Sequence, residues 1–362
     1  MPESDHPPQA EQGRSAAEPE DPLDRRATLD ALTAPELLET IEVLLLGGPP
    51  VYTRREVARR CDVPVEVAEQ LWHSLGFPRS ADDAVVFTEA DARALEQTMW
   101  LIRAGILDED SQAAMVRTWG RSFARLAEWQ TSLLASIAVA ADDPEARLEE
   151  LASEVIPLVD ALQSYTWRRH LFSASSRLLL RPSDTEELRA VGFVDIVGYT
   201  TQSKNLGDAE LVALVEHFED VAAGTITDHG GQLIKTIGDE VLFTADTAVE
   251  GARVARELVE RHARDEQFPE VRAGVAYGAV VSRLGDVFGP TVNIASRLTS
   301  LSRPGSVLVD QGMREALVEG DEDETEFALR RVRRTSVKGY HRLEPWRLKR
   351  PKGAAKPGAD AD

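Results

Sequence analysis

The sequence predicts an α+β protein, an all-α front half joined to a back half that reads βαββαβ. Three observations carry this. As far as about residue 170, apolar residues recur at three- and four-residue spacing, the period of amphipathic helices. From Glu187 onward, apolar runs of strand length alternate with helical stretches. Between the two, Trp167–Arg177 is basic, Pro182 supplies a helix stop, and Ser183-Asp184-Thr185 supplies a fresh cap. The segments expected are a disordered tail over 1–25, a helical domain over 26–170, a linker helix over 171–186, an α/β domain over 187–349 and a mobile tail over 350–362.

The tail is rich in Pro, Glu, Asp, Ser and Ala and carries almost nothing to bury. Leu29, Leu32, Leu37, Leu38, Ile41, Leu44 and Leu45 then form one helical face, ended by Gly47-Gly48-Pro49-Pro50. Tyr52–Pro78 reads as two short helices joined at Cys61–Pro64, with a further helical stretch over Phe87–Gly105. Met99–Ala140 continues as long helix carrying Met115, Trp119, Phe123, Leu126 and Trp129. Aromatics at helical spacing predict core, or else the lining of a pocket for a small apolar ligand. Asp142-Asp143-Pro144 opens another helix, which runs through Leu151 and Val155 towards Trp167.

In the back half, Leu188–Ile196 is a strand. Asp208–Asp228 is a helix whose face holds Leu211, Leu214, Val215, Phe218, Val221 and Ala222. Gln232–Ile237 and Val241–Thr244 form a hairpin across Gly238-Asp239-Glu240, followed by a helix over Thr247–Arg264. Val271–Leu284 is a strand region turning at Gly278. Helices over Val292–Leu301 and Gln311–Val318 flank a short strand at Val307–Val309, and Phe327–Leu348 supplies closing strands. This is a ferredoxin-like α/β sandwich with additions.

Composition narrows the function. The chain has 362 residues, 43% hydrophobic, with a formal net charge of −21, which repels nucleic acid and anionic membrane. Tyr52–Pro78 resembles the helix-turn-helix of MerR-type regulators, where the second helix enters the major groove. Here that helix, Val65–Leu75, carries Glu66 and Glu69 and no Lys or Arg. Phosphate contacts dominate DNA affinity, so a structural subdomain is expected and nucleic acid is not an expected partner. Cys61 is the single cysteine and allows no intrachain disulfide. No run of 18 apolar residues and no basic-then-apolar leader occurs, so a cytoplasmic protein without a membrane span is expected.

Three stretches carry chemistry. AVGFVDIVGY, Ala190–Tyr199, and KTIGDEVLF, Lys235–Phe243, are apolar strands that each meet an aspartate, Asp195 and Asp239. Alone, either aspartate reads as a turn or cap residue. Together, at neighbouring strand ends, two hard oxygen ligands can hold the metals used for in-line phosphoryl chemistry. The third stretch runs from Asp286 through Asn293 to Arg297, the last two four apart and so on one helical face.

FVDIVGYT, KTIGDEVLF and the D-x6-N-x3-R run together resemble the class III nucleotidyl cyclases, over about Glu187–Lys349. The resemblance implies closure of ATP to 3′,5′-cyclic AMP with release of pyrophosphate. It assigns Asp195, Ile196 and Asp239 to two Mg²⁺ or Mn²⁺ ions per site. It assigns Val197, Gly198, Tyr199 and Thr200 to the phosphates, with backbone N–H groups and a glycine allowing close approach. Lys235 and Asp286 match the base-reading pair. A lysine donates to N1 of adenine and an aspartate accepts from its 6-amino group, whereas guanine reverses both roles and is disfavoured. Asn293 positions the ribose and Arg297 stabilises charge on the pentavalent phosphorus. Lys338 is the candidate for the triphosphate, with the position of Tyr340 as the other placement of that family lysine.

In this family the metal aspartates and the base and transition-state set come from opposite partners, which implies a homodimer. The front half resembles the pH-responsive, autoinhibited bacterial subgroup, making 26–170 a regulatory domain. His170, of a type that changes charge between pH 5 and 8, is the candidate sensor. The alternatives are a guanylate cyclase and a DNA-binding regulator with a nucleotide-sensing cyclase-fold domain.

Overall fold

The computed structural model describes residues 35–106, 109–179, 187–320, 326–332, 335–337 and 340–351. The tail over 1–25, Leu29, Leu32, the cap at Ser183-Asp184-Thr185, Lys338 and the end beyond residue 351 lie outside the described residues. The chain forms two compact units, Met1–Leu180 and Arg181–Asp362.

In the front unit, α1 (Pro35–Leu46) ends where Gly47 takes φ +71°. Strand β1 (Tyr52–Thr53) pairs antiparallel with β2 (Val85–Phe87), and α2 (Arg54–Arg60), α3 (Val65–Leu75) and α4 (Glu89–Arg103) pack beside them. Val57, Ala58, Cys61, Ala68, Leu71, Ala92 and Leu95 form their core. Three of the four arginines of α2 are already paired within the chain, Arg54 with Glu69 and Asp82, Arg55 with Asp82, and Arg60 with Glu89 and Glu96. That leaves little free positive charge on this helix-turn-helix.

Then come α5 (Glu109–Val139), α6 (Pro144–Glu150), a π-helical turn (Leu151–Val155) and α7 (Ile156–Leu179). One expectation is met and one needs correction. The helix expected to run through Leu151 and Val155 towards Trp167 does so, with a π turn over Leu151–Val155 inside it. Pro157 follows it, and a proline offers no N–H and crowds the carbonyl four residues back. The aromatics of α5 are not core: Trp119, Phe123 and Trp129 are 45%, 56% and 63% exposed. The helix is buried instead by its small residues. A Cβ on Gly120 would stand 2.4 Å from the carbonyl oxygen of Leu75, so glycine lets the α3 backbone approach there.

The back unit is a seven-stranded sheet in the order β10-β13-β9-β6-β3-β5-β4. β3 (Leu188–Ile196) leads to a short helix α8 (Tyr199–Gln202) and then to α9 (Asp208–Asp228). The hairpin β4 (Gln232–Ile237) and β5 (Glu240–Ala245), helix α10 (Ala248–Arg261) and β6 (Val271–Ala279) complete βαββαβ, with β3 antiparallel to both β5 and β6. A small hairpin, β7 (Val281–Arg283) with β8 (Asp286–Phe288), precedes α11 (Pro290–Leu301). β9 (Val307–Val309) adds parallel to β6 and leads to α12 (Gln311–Gly320). β10 (Ala328–Arg331), β11 (Thr335–Val337), β12 (Tyr340–Leu343) and β13 (Trp346–Lys349) close the unit.

Side-chain alternation along β3 builds two layers. Ala190, Val194 and Ile196 pack with Phe218, Ala222, Ala252 and Ala255 from α9 and α10. Val191 and Phe193 pack with Ala295 and Leu298 of α11 on the other face. The turn expected at Gly278 is also corrected. β6 runs through it, and the glycine is there because a Cβ would meet Thr291 Oγ1 at 2.9 Å. Among the described residues, no helix is long and apolar enough to cross a membrane.

Candidate active site

The register of the sheet gathers an acidic cluster at one strand end. Asp195 lies opposite Glu240 on β5 and opposite Arg272 on β6. All three stand on the α11 face, since Asp195 alternates with Val194 and Ile196 and shares the side of Val191 and Phe193. Asp239 occupies the β4–β5 turn, where Gly238 takes φ +65°. The Ile196 N–H donates to the Asp239 carbonyl (3.0 Å), and the Val197 N–H to the Glu270 carbonyl (2.8 Å). These bonds tie the end of β3 to both neighbouring loops. Gly198, at φ +71°, then opens α8, and the Gln202 side chain donates back to the Val197 carbonyl (3.1 Å).

Arg272 donates to Asp195 Oδ2 from Nε (2.7 Å) and from Nη2 (2.6 Å). Burial pushes the Asp195 carboxyl up, Arg272 opposes that, and the nearby Asp239 charge adds to it. Glu240 is raised to about 7, first by burial and then by the charges of Asp195 and Asp239. Three carboxylates thus crowd one guanidinium, a surplus of negative charge that suits a divalent cation. Asp195, Asp239 and the Ile196 carbonyl are hard oxygen donors of the type such a cation takes. Among the described residues, no three His, Cys, Asp or Glu side chains already stand as a ligand set. Arg272 and Glu240 were not anticipated from the sequence.

The second group lies on the same face. Lys235 is opposite Leu242, which is itself opposite Phe193. Its ammonium meets Asp286 Oδ2 at 2.5 Å, and Oδ1 of Asp286 accepts the Val287 N–H at 2.9 Å. Two residues 51 apart in sequence are thus brought together, each partly exposed. A donor and an acceptor that face each other satisfy one another until a base offers both complements.

Asn293 and Arg297 project from the exposed side of α11. The buried side of that helix is fixed closely. Thr291 Oγ1 donates to the Ala279 carbonyl (2.7 Å), and Thr299 Oγ1 to those of Ala295 (3.0 Å) and Phe193 (3.3 Å). A Cβ on Gly274 would stand 2.2 Å from the Thr299 nitrogen, so only glycine lets β6 and α11 approach this closely. Tyr199 is half-buried and Gly198 and Thr200 are exposed at the start of α8. Lys338 lies outside the described residues.

Residues 183–350 match the adenylate and guanylate cyclase catalytic domain. The chain is 38% identical to an adenylate cyclase of Glutamicibacter nicotianae, over 88% of this chain and 84% of that one. It is 38% identical to an adenylate cyclase of Streptomyces coelicolor, over 86% and 90%. It is 31% identical to a pH-sensitive adenylate cyclase of Mycobacterium tuberculosis, over 83% and 79%.

Proposed function

This chain belongs to the class III adenylate cyclase family, and from that premise we propose that it closes ATP to 3′,5′-cyclic AMP at sites shared between two copies. The observation that carries the substrate assignment is the meeting of Lys235 and Asp286 at 2.5 Å. The lysine donates to N1 of adenine and the aspartate accepts from the 6-amino group. Guanine would leave both groups unpaired, a discrimination worth on the order of 10⁴.

Asp195, Asp239 and the Ile196 carbonyl would hold two Mg²⁺ or Mn²⁺ ions, which would supply Lewis acidity at the ribose 3′-hydroxyl and positive charge beside the leaving pyrophosphate. Arg272 fixes the rotamer of Asp195 and opposes the upward push of burial on its carboxyl. The Val197–Thr200 turn donates backbone N–H groups of Gly198, Tyr199 and Thr200 to the phosphates, with Gly198 leaving room, while the Val197 N–H holds the turn to the Glu270 carbonyl. Lys338 adds a cation to the triphosphate. Asn293 orients the ribose so that its 3′-oxygen faces the α-phosphorus. The hydroxyl proton passes to solvent water, the O3′–P bond forms, and the bond from the α-phosphorus to the bridging oxygen breaks, that oxygen leaving with its electron pair as pyrophosphate. Arg297 stabilises the charge that gathers on the equatorial oxygens meanwhile.

The metal set of one copy meets the base and transition-state set of the other, giving two equivalent sites in a closed two-fold dimer. Asp195→Ala and Arg297→Ala should each be inactive alone and regain partial activity when mixed, with ATP and not GTP consumed. A verified heterodimer that stays dead would sink the shared site.

The front unit sets the activity, and the likeness to a relative that is itself pH-sensitive supports pH as its signal. His170 is exposed on α7. The full chain, its His170→Ala variant and a chain beginning near Leu180 should differ in activity against pH. Three superimposable profiles would remove pH control from the reading.

A further inference from the structure

We propose that the back unit carries a second ligand site, on the face of its sheet away from the active site, for a small carboxylate with an apolar body. A cavity of about 310 Å³ opens between α12 and the edge of the sheet formed by β10 and β13. Leu317, Val318, Phe327, Leu329 and Trp346 wall it, and Arg314 is the one charged side chain among the described residues that line it. Arg314, Leu317 and Val318 stand three and four residues apart and so share one side of α12. Leu317, Phe327, Leu329 and Trp346 belong to the layer that packs with α10. Asp195 and Lys235 stand on the opposite, α11 face, so the cavity is no part of the nucleotide site.

Arg314 gives the cavity its chemistry. Its guanidinium carbon lies 4.6 Å from the centroid of the Trp346 ring. Among the described residues it makes no ion pair, whereas three other arginines on this face are paired, Arg253 and Arg256 with Glu326 and Arg350 with Glu260. A guanidinium laid over an aromatic ring uses its flat face in that contact and keeps its N–H edge for an acceptor. The stack also holds the plane of the fork, so little freedom is lost when an acceptor arrives. The indole N–H of Trp346 is itself buried with no acceptor among the described residues. Both partners of the stack therefore have donors to spare, beside a cavity that offers them none of its own acceptors.

The occupant follows from what is present and what is not. A carboxylate takes two parallel N–H bonds from the edge of an arginine. One cation balances one negative charge, and the remaining walls are hydrocarbon and aromatic ring. A phosphate group would bring close to two charges and three acceptor oxygens to a site with a single counter-charge, and most of them would be desolvated without a partner. The body of the ligand must be apolar for the same reason. The volume lies at the lower end of the ~300–1,000 Å³ of small-molecule sites, which suits a single ring or a short branched chain set between Phe327 and Val318. The site is independent of the nucleotide chemistry on the other face.

The test titrates 4-fluorobenzoate into the full chain and follows its fluorine NMR line width. Binding should saturate, and 4-fluorobenzamide, of the same shape without the charge, should bind at least tenfold more weakly. Arg314→Gln should weaken the acid at least tenfold. Val318→Trp, at a position 49% exposed, leaves Arg314 in place, fills the cavity and should abolish binding. Arg330→Gln changes an exposed arginine that alternates with Leu329 on β10 and so points to the other face. It should leave the affinity as it was. Absence of saturable binding to the wild type overturns the proposal. So does binding that survives both Arg314→Gln and Val318→Trp, which would place the acid elsewhere in the chain. Equal affinity for acid and amide would leave an apolar crevice without an anion anchor, and an equal loss in Arg330→Gln would leave only a general effect of charge. Either result sinks the site. Should Arg314→Gln fail to fold, Val318→Trp and the acid–amide comparison on the wild type still decide.

Discussion

β3 and α7 are both rich in apolar residues, yet one chain treats them in opposite ways. In β3 only Leu188 is exposed and Asp195 part-buried, and every other side chain is covered from one face or the other. In α7 the large apolar side chains stand in water, from Leu158 at 65% to Leu179 at 83%. β3 is central in its sheet, with β5 and β6 on its two edges and helices above and below. Among the described residues, α7 packs chiefly against the π turn that precedes it. The difference teaches that apolar content alone does not decide burial: among the described residues, β3 is covered within one chain and the large apolar side chains of α7 are not. Lesions in the first should therefore act the same at any protein concentration.

The largest effect expected within the self-contained part is Gly274→Val. The added Cβ would stand 2.2 Å from the Thr299 nitrogen and 2.6 Å from the Ala295 carbonyl oxygen. Those are helix backbone atoms, and Thr291 and Thr299 prevent α11 from retreating. Overpacking of this kind costs about 3 kcal/mol or more. The urea midpoint of the back unit should fall accordingly, by the same amount in dilute and concentrated protein. Activity should fall with it, since Asn293 and Arg297 stand on the helix that takes the strain. A shift that grows on dilution would mean that the sheet is not stable alone, and the contrast with α7 would break.

The back unit was legible because strand length, alternation and caps agreed at each step. The helix over Asp208–Asp228 and the strand over Leu188–Ile196 fall where the periodicity puts them. Asp195 and Asp239 were legible through their motifs. Arg272 was not, although a lone charge in Val-Arg-Ala-Gly, inside a buried strand, calls for a partner across the ladder. Only the register shows that the partner is Asp195. The aromatic stripe of α5 was misread because periodicity tells which face of a helix is apolar and not which face is covered. The signal that decides it, Ala114 and Gly120 on another face, is a signal of close approach rather than of hydrophobicity. Sequence gave no account of what the exposed faces meet, since that depends on chains other than the one being read.

A smaller effect, also internal to the back unit, comes from Asp310. It is 8% exposed at the start of α12, where its Oδ1 accepts the N–H groups of Met313 (2.8 Å) and Tyr277 (3.2 Å). Burial outweighs these bonds and raises its pKa to about 6. That is above the roughly 3.9 of an unfolded aspartate. The sign follows: its contribution to stability is full below about pH 4 and is lost as pH rises through about 6. Asp310→Asn keeps an acceptor at Oδ1 and removes the titration. The variant should therefore gain about 2 kcal/mol on the wild type between pH 4 and pH 7.5, measured as the difference in urea stability across that range. Parallel stability curves would show that Asp310 does not carry the slope.

The smallest effect belongs to the front unit and probes where its own order ends. Thr88, 1% exposed, caps α4. Its Oγ1 accepts the Asp91 N–H (3.3 Å), while Asp91 Oδ2 accepts the Thr88 N–H (2.7 Å) and hydroxyl (2.8 Å). Thr88→Ala removes one half of this reciprocal box and leaves a helix-end N–H without its acceptor, a loss of about 1 kcal/mol. Thr88→Ser keeps the hydroxyl and should restore most of it. Both changes lie in the small core around Val57, Ala92 and Leu95, which needs no second copy. The loss should therefore appear in the unfolding of the front unit alone, independent of concentration. If Thr88→Ala also lowers the midpoint at which the sheet unfolds, the two units unfold together, and the line drawn between them is in the wrong place.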